Sequence, residues 1–458
     1  MFLFLSGKVT KKKPNILIHS HFFRTFAKNI SMMKQFKILL SLLAICFAAC
    51  GSDDPSPSPT PPDPPSPTGQ SERSVLIYMA ANSDLARKGL FDSDFEEMKK
   101  GSTTINANQN LIVYVNKSGT ATEKPYLARL KDGQVVDSTT VEGSVSSDPA
   151  ALEKALSHMC EKYPAKSYGL VLWGHANSWL IRSDSIVYAR TRAYGYDEST
   201  SPDTYMNFPS MARAIKNGMN GSKLSYIFGD CCEIGCVEVA YELRNVADYL
   251  IASPAEIPGE GAYYEDLTDL FDTSSNFYQK IIDKYWDFYF KAFVGSTRYY
   301  INVAGDLAGY SVPLVAIKTS ELENLATATA SLLSTISGKL QPTGTLDLSQ
   351  VIYYSLNNGL KLNYDMYKTL KMNTAAADFN AWVPAFEKAV PYYRMSARWY
   401  SIYIHKPMTE VFDGISSDHR VLSMFFPGKQ YNNVYPSWNK TIQQLQWNGP
   451  ISWQQYGW

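Results

Sequence analysis

The chain has 458 residues, 45% of them apolar and 19% charged, which is enough to build a large core and excludes a disordered composition. A soft prior of roughly 150 residues per domain allows two to three domains. Lys+Arg and Asp+Glu each total 43, but the first 49 residues hold eight bases and no acid, so the rest is mildly acidic; with no basic stripe, nucleic acid is excluded as the main partner.

Residues 38–49 (ILLSLLAICFAA) form an apolar run behind the short basic stretch Met33-Lys34-Gln35-Phe36-Lys37, the pattern of a secretory signal and too short for a stable bilayer span. The break Phe47-Ala48-Ala49-Cys50 resembles a bacterial lipobox, which makes Cys50 the expected lipidated first residue of the mature chain. Signals begin near the start codon, so Met32 or Met33 is the more natural start and residues 1–31 read as upstream sequence. From Gly51 to Gln70, eight of twenty residues are Pro. Such a segment cannot build a core; as an extended polyproline-like tether at about 3 Å per residue it reaches roughly 60 Å. Its Gly-Ser-Asp-Asp start looks like the export signal of some Gram-negative surface lipoproteins, so the expected location is a lipid-anchored one at the cell envelope. The expected division is therefore a signal at 32–49, an anchor and tether at 50–71, a core domain at 72–267 and a C-terminal subdomain at 268–458.

Beyond the tether, short apolar runs alternate with amphipathic stretches. Ser74–Met79, Leu111–Val115, Gly169–Trp173, Lys223–Phe228 and Tyr249–Ala252 read as buried strands. Asp84–Lys100, Asp148–Tyr163 (opened by Asp-Pro), Phe208–Met219 and Glu233–Val246 read as helices between them. Apolar strands alternating with helices predict an α/β fold with a mostly parallel sheet covered on both faces, whose ligand site lies beyond the carboxyl ends of the strands. In the later half, Phe277, Ile281, Tyr285, Phe288 and Tyr289 share a helical face, and Ser320–Leu333 is a further helix. Leu314–Ile317, Tyr400–Ile404 and Val421–Phe426 read as strands, Pro313 confining the first to an edge or a strand start. The aromatic end (Trp438, Trp447, Trp453, Tyr456, Trp458) is expected to pack in a core.

Two strand ends carry chemistry. The third strand runs into Gly174-His175-Ala176-Asn177 and the fourth into Gly229-Asp230-Cys231-Cys232, which puts an imidazole and a thiol on one rim. A thiol attacks a carbonyl as its thiolate, so it needs a base within reach. Cys232, just before a helix expected near Glu233, is placed for helix-terminus stabilisation of an anion. His175 is the candidate base, and the backbone N–H groups of Ala176 and Cys232 are candidate oxyanion donors. Cys160, Cys231, Cys232 and Cys236 fit neither a disulfide framework nor a zinc pattern, so no metal site is expected.

Trp173-Gly174-His175, Asp230-Cys231-Cys232 and Gly235-Cys236-Val237-Glu238-Val239-Ala240 resemble the clostripain family of cysteine peptidases, relatives of caspases, legumain and gingipain. Val75–Ala80, Gly195-Tyr196-Asp197-Glu198, Ser253-Pro254, Pro258–Gly261 and, more loosely, Phe425-Phe426-Pro427 extend the likeness. The resemblance implies a caspase-like three-layer α/β/α sandwich with an α+β C-terminal extension. It implies a Cys232–His175 dyad that hydrolyses peptide bonds through a thioester. Alignment through Gly235–Glu238 makes Cys232 the nucleophile and Cys231 a small buried neighbour. Asp230, two residues before the nucleophile, would then line S1 and select Arg or Lys at P1, with Glu260 as a second candidate. Helix N-capping is the competing role for Asp230. Related enzymes cut themselves after the catalytic His, where this chain has Arg182, Arg190 and Arg192, and cleavage after Arg190 or Arg192 is the corresponding expectation. Clostripain-like enzymes can need calcium; the loops hold many acids but no EF-hand pattern, so calcium stays open as a cofactor. Two departures, Ala176 where the family has Gly and the doublet Cys231-Cys232, leave a catalytically inactive surface-binding relative as the alternative. A nucleotide-binding α/β protein lacks the glycine-rich loop it would need.

Overall fold

Strand β1 (Ser71–Ala80) alternates its side chains between two buried clusters: Leu76, Tyr78 and Ala80 enter one, Val75, Ile77 and Met79 the other. Burial on both faces is why its sequence is apolar throughout. The computed structural model describes residues 70–117, 124–143, 145–181, 193–198, 204–292, 312–357, 359–395, 400–401, 406–407, 418–434 and 437–458. In chain order β1 is followed by α1 (Asp84–Arg87), α2 (Leu90–Gly101), β2 (Gln109–Asn116), β3 (Tyr126–Lys131) and β4 (Gln134–Thr140). Then come α3 (Pro149–Lys162), β5 (Ala165–Trp173), the hairpin strands β6 (Tyr194–Asp197) and β7 (Thr204–Met206), and α4 (Phe208–Gly218). Next are β8 (Tyr226–Asp230), α5 (Val237–Leu243), β9 (Tyr249–Ala252), α6 (Phe277–Ala292), β10 (Leu314–Lys318) and α7 (Leu322–Ser334). The remaining elements used below are β11 (Tyr353–Asn357), β12 (Leu360–Asp365), α8 (Met366–Asn373), α9 (Ala376–Ala389) and β13 (Tyr392–Arg394).

One nine-stranded sheet has the order β13-β10-β9-β8-β5-β1-β2-β3-β4. The five central strands, β9, β8, β5, β1 and β2, run parallel, and the pairs outside them are antiparallel. Leu152 and Met159 of α3 and Met211 and Ile215 of α4 cover one face; Phe91 and Met98 of α2 and Ile281 and Tyr285 of α6 cover the other. This is the three-layer α/β/α sandwich expected from the sequence. Leu322, Leu333, Trp382, Phe386, Trp438, Trp447 and Trp453 join the first of those clusters, so the C-terminal half shares its core with the sheet. No described helix is long and apolar enough to cross a membrane.

Several boundaries differ from the sequence reading, each for a local reason. The helix expected over Asp84–Lys100 is two, because Gly89 at φ 76 breaks it. The fourth strand starts later and ends at Asp230 itself. The helix expected over Glu233–Val246 is only Val237–Leu243, with Cys236 at its N-cap. Cys231–Gly235 is a loop, and Glu233 within it has φ 64, a conformation that costs a non-glycine residue energy and often marks a functional turn. Of the late strands, Tyr400–Ser401 and Ser423–Met424 form, while 402–405 lie outside the described residues.

The C-terminal segment reaches back to this loop. Ser423 N–H donates to the Gly235 carbonyl at 3.2 Å, and Phe425 N–H donates to Glu238 Oε1 at 2.7 Å. Glu238 is fully buried, and burial above all raises its carboxyl to about 7. An acid whose folded pKa exceeds its unfolded value stabilises the fold when protonated and loses that contribution as pH rises through 7. Glu238→Gln keeps the acceptor for Phe425 but cannot ionise. Its unfolding free energy in urea titrations should therefore gain on wild type between pH 5 and pH 8, by up to about 3 kcal/mol if the whole shift is expressed; a constant difference across that range would contradict the assignment.

Candidate active site

β5 and β8 pair in parallel with Trp173 opposite Asp230, so Gly174-His175 and Cys231-Cys232 leave the sheet side by side at its carboxyl rim. The Tyr194 hydroxyl donates to the carbonyls of Tyr78 and Trp173 at 2.9 and 3.0 Å, tying the ends of β1 and β5 together. Gly195 N–H donates to the His175 carbonyl at 2.8 Å, and the Tyr196 ring meets the imidazole edge-on at 6.2 Å. Asp197, buried, accepts from Asn82 Nδ2, Ser146 N and Ser146 Oγ, all at 2.6 Å. The Gly195–Glu198 turn is therefore a brace that holds the His175 loop against the segment after β1.

That segment supplies a residue the sequence reading did not single out. His175 Nε2 lies 2.7 Å from Asp84 Oδ1, at the start of α1. Lys88 Nζ donates to the other Asp84 oxygen at 2.7 Å. The His175 hydrogen bond first, with help from Lys88, holds the Asp84 carboxyl far below the usual carboxylate range against the opposing effect of partial burial. An ionised carboxylate can only accept, so Nε2 is the donor of this bond and Nδ1 is the ring nitrogen turned away from Asp84. A polar residue four positions past the end of β1, on the rim that carries His175, was the signal available.

The two cysteines of the doublet leave β8 on opposite faces. Cys231 is fully buried in the cluster under α3 and α4; Cys232 keeps partial exposure and packs against the cluster under α2 and α6. Of the two, only Cys232 is accessible to solvent. Its electrostatics differ from expectation. Because α5 starts at Val237, no helix terminus stabilises a Cys232 anion. Burial of the thiol first, then the charge of Glu256, raise its pKa far above the ordinary value, while the Ile257 N–H acts in the opposite sense. The imidazole hydrogen-bonds Asp84 and not Cys232 in this state. Cys236 is buried at the α5 N-cap, 3.7 Å from Ser178 Oγ, and not one helical turn from Cys232 as the longer helix implied. Ala176 needs no positive φ, which falls at Gly174 (142°); its bridge to Tyr194 is closed by Asn177 and Gly195 bonds, so the Ala176 N–H is not used in it.

Asp230 caps no helix. Its carboxylate, 3% exposed, accepts from the Tyr264 hydroxyl at 2.6 Å and Ala262 N–H at 3.0 Å, and burial raises it to about 6. Gly261 makes this approach possible: it has φ 58, and a Cβ there would lie 2.5 Å from Asp230 Oδ2. The loop after β9 that carries Glu260 is thereby fastened to Asp230. Among the described residues no group of His, Cys, Asp and Glu is arranged to hold a metal ion. Cys50, Arg182, Arg190 and Arg192 lie outside the described residues.

A model of the clostripain family of C11 peptidases matches residues 77–458. The chain belongs to the clostripain family. It is a cysteine protease of that family by the match and by its structural neighbours. A secreted C11 cysteine protease from Bacteroides thetaiotaomicron, solved with an irreversible peptide inhibitor, is 26% identical with a TM-score of 0.64, over 84% of this chain and 99% of that one. An inactive zymogen C11 protease from Parabacteroides distasonis has the same TM-score and coverage at 24% identity and supports the fold alone. No curated protein matches the chain.

Burial ranks the thiols of this clostripain-family chain. Iodoacetamide should label Cys232 in the folded protein and reach Cys231 and Cys236 only after unfolding, as read by peptide mass spectrometry; preferential labelling of Cys231 would shift the nucleophile by one residue. Asp84→Asn leaves the imidazole a hydrogen-bond partner but removes the charge that fixes its tautomer. The variant should lose roughly 10–100-fold in kcat, with little change in KM, and an unchanged kcat would remove Asp84 from the unit.

Proposed function

We propose that this protease hydrolyses peptide bonds after Arg or Lys, using Cys232 as nucleophile and His175 as general base, with Asp84 orienting the imidazole. The observation that carries the reading is the shared rim: the residues that precede His175 and Cys232 in β5 and β8 are register partners. With the resting thiol protonated, attack and proton loss occur together. Sγ bonds to the scissile carbonyl carbon as the thiol proton passes to His175 Nδ1, and the backbone N–H groups of Ala176 and Cys232 receive the oxyanion. Collapse breaks the C–N bond, the imidazolium gives its proton to the leaving amine, and a thioester remains. Water, deprotonated by the same Nδ1, releases the acid and the thiol. Asp84, kept ionised, stabilises each imidazolium in turn.

Basic P1 specificity follows from Asp230 and Glu260. An acid held beside the nucleophile strand by Tyr264 and Ala262 suits a guanidinium or ammonium, through charge-assisted hydrogen bonds worth roughly 1.5–3 kcal/mol each. We further propose that Cys50 carries a lipid and that the Pro-rich segment after it holds the protease away from a membrane surface, on the strength of the lipobox-like Phe47–Cys50 run and the composition of residues 51–70. The alternative of an inactive binding protein is disfavoured by the Asp84–His175 pair, since a non-catalytic imidazole has no need of a fixed tautomer.

Purified protein should hydrolyse fluorogenic peptides with P1 Arg or Lys at least 100-fold faster than those with P1 Ala. Cys232→Ala should abolish turnover, whereas Cys231→Ala should retain it. Fast cleavage after neutral or acidic residues would reject the S1 reading while leaving the nucleophile in place.

A further inference from the structure

The segments that carry the base and the nucleophile are joined through the C-terminal half of the chain. Ser178, three residues past His175, is fully buried with φ 54, and Asn363, in β12, is fully buried with φ 57. Ser178 Oγ donates to Asn363 Oδ1 at 2.9 Å. The same oxygen lies 3.7 Å from the Sγ of Cys236, the N-cap of α5, four residues past Cys232. Ser178 thus carries the His175 loop into contact with β12 and with the segment that follows the nucleophile.

A second set of contacts runs parallel to the first. The strand Ser423–Met424 pairs with Asp365 and Tyr364 of β12. Ser423 N–H holds the Gly235 carbonyl and Phe425 N–H holds Glu238, both on the nucleophile side, while the Phe425 ring meets Trp179 of the His175 loop at 4.7 Å. Buried Asp365 sets where this strand begins. Its Oδ2 accepts from Arg420 N–H at 2.9 Å and Val421 N–H at 3.0 Å, and its Oδ1 accepts from Lys368 N–H at 2.8 Å. Val421 has φ 66, which a β-branched residue adopts only where its surroundings impose it. Three non-glycine residues with positive φ therefore belong to one junction, and such conformations cluster where geometry serves function. An apolar contact would bury the two segments as well but would leave their relative placement loose; a directional hydrogen bond fixes it.

We propose that Asn363 is a positioning residue for the peptidase reaction: through Ser178 it sets the His175 loop against the segment that follows Cys232. The inference rests on the Cys232–His175 reading. Asn363 touches no substrate and moves no proton. It supplies alignment of the imidazole with the thiol, on which the rate depends steeply. The C-terminal half is on this account part of the catalytic unit.

The test compares full-length wild type, Ser178→Gly, Asn363→Gly and the double variant on a peptide with P1 Arg. Glycine keeps the left-handed backbone and removes only the side chain. Rates are expressed per active site, titrated to completion with an irreversible peptidyl chloromethyl ketone, so that unfolded protein does not count. Thr329→Val is the control: it removes another buried hydrogen bond of the C-terminal half, from Trp382 Nε1 on α9 to Thr329 Oγ1 on α7 at 3.0 Å. Each single variant should lose about tenfold or more in kcat with KM within about twofold. The double variant should lose no more than the worse single one, since both remove the same bond, and Thr329→Val should keep the wild-type kcat. Unchanged kcat in the single variants, losses that multiply in the double, or an equal loss in Thr329→Val would make Asn363 a residue of the core alone and overturn the inference. Turnover retained by Cys232→Ala would instead remove the dyad reading and this inference with it.

Discussion

The site depends on a backbone register. Parallel pairing sets Trp173 of β5 opposite Asp230 of β8, and every group with chemistry at the rim takes its position from that pair. His175 is two residues past one partner and Cys232 two past the other. A slip of one residue would turn each strand's side chains to the other face of the sheet, putting Cys231 where Cys232 lies and burying Cys232 under α3 and α4. The register is secured by continuous burial: Leu170, Val171 and Leu172 of β5 and Ile227 and Phe228 of β8 are almost wholly enclosed, each worth roughly 1.5–3 kcal/mol on burial.

Around this frame the electrostatics divide into two halves. On the His175 side charges are paired and partly solvated: Asp84 with His175 and Lys88, and Arg87 with Glu198. On the Cys232 side the titratable groups are acids, with Asp94 and Asp230 buried and Glu256 half-buried. The first half fixes an imidazole tautomer. The second, together with burial of the thiol, raises the pKa of Cys232. The C-terminal half contributes through Ser423 and Phe425, which bind the loop from Gly235 to Glu238, and through Asn363, whose Oδ1 accepts from Ser178 Oγ at 2.9 Å beyond the His175 loop.

Much of the sheet was legible because apolar runs such as Val75–Ala80 are buried on both faces and admit little else. His175, Cys232 and Asp230 were legible as strand-end residues. The edge hairpin β3–β4 was missed although Lys131-Asp132-Gly133-Gln134 carries the Asp-Gly signal of a two-residue turn, with φ 50 and 79 at its centre; the antiparallel pair β11–β12 was missed as well. The true start of α5 was hidden because Glu233 and Ile234 have ordinary helix propensity and only tertiary bonds, such as Glu233 N–H to the Ala255 carbonyl, pull them into a loop. That error reversed the expected charge preference at Cys232. Asp84 could not be ranked among the acids of its segment, since what distinguishes it is a partner 91 residues away.

The central claim is that His175 and Cys232 react as one unit. It is tested most directly by the rate at which a peptidyl chloromethyl ketone with P1 Arg alkylates wild type and His175→Ala, with the adduct located by mass spectrometry. The account predicts a single adduct at Cys232 in wild type and a rate at least 100-fold lower without the imidazole. An equal rate in the variant, or an adduct on another cysteine, would contradict it.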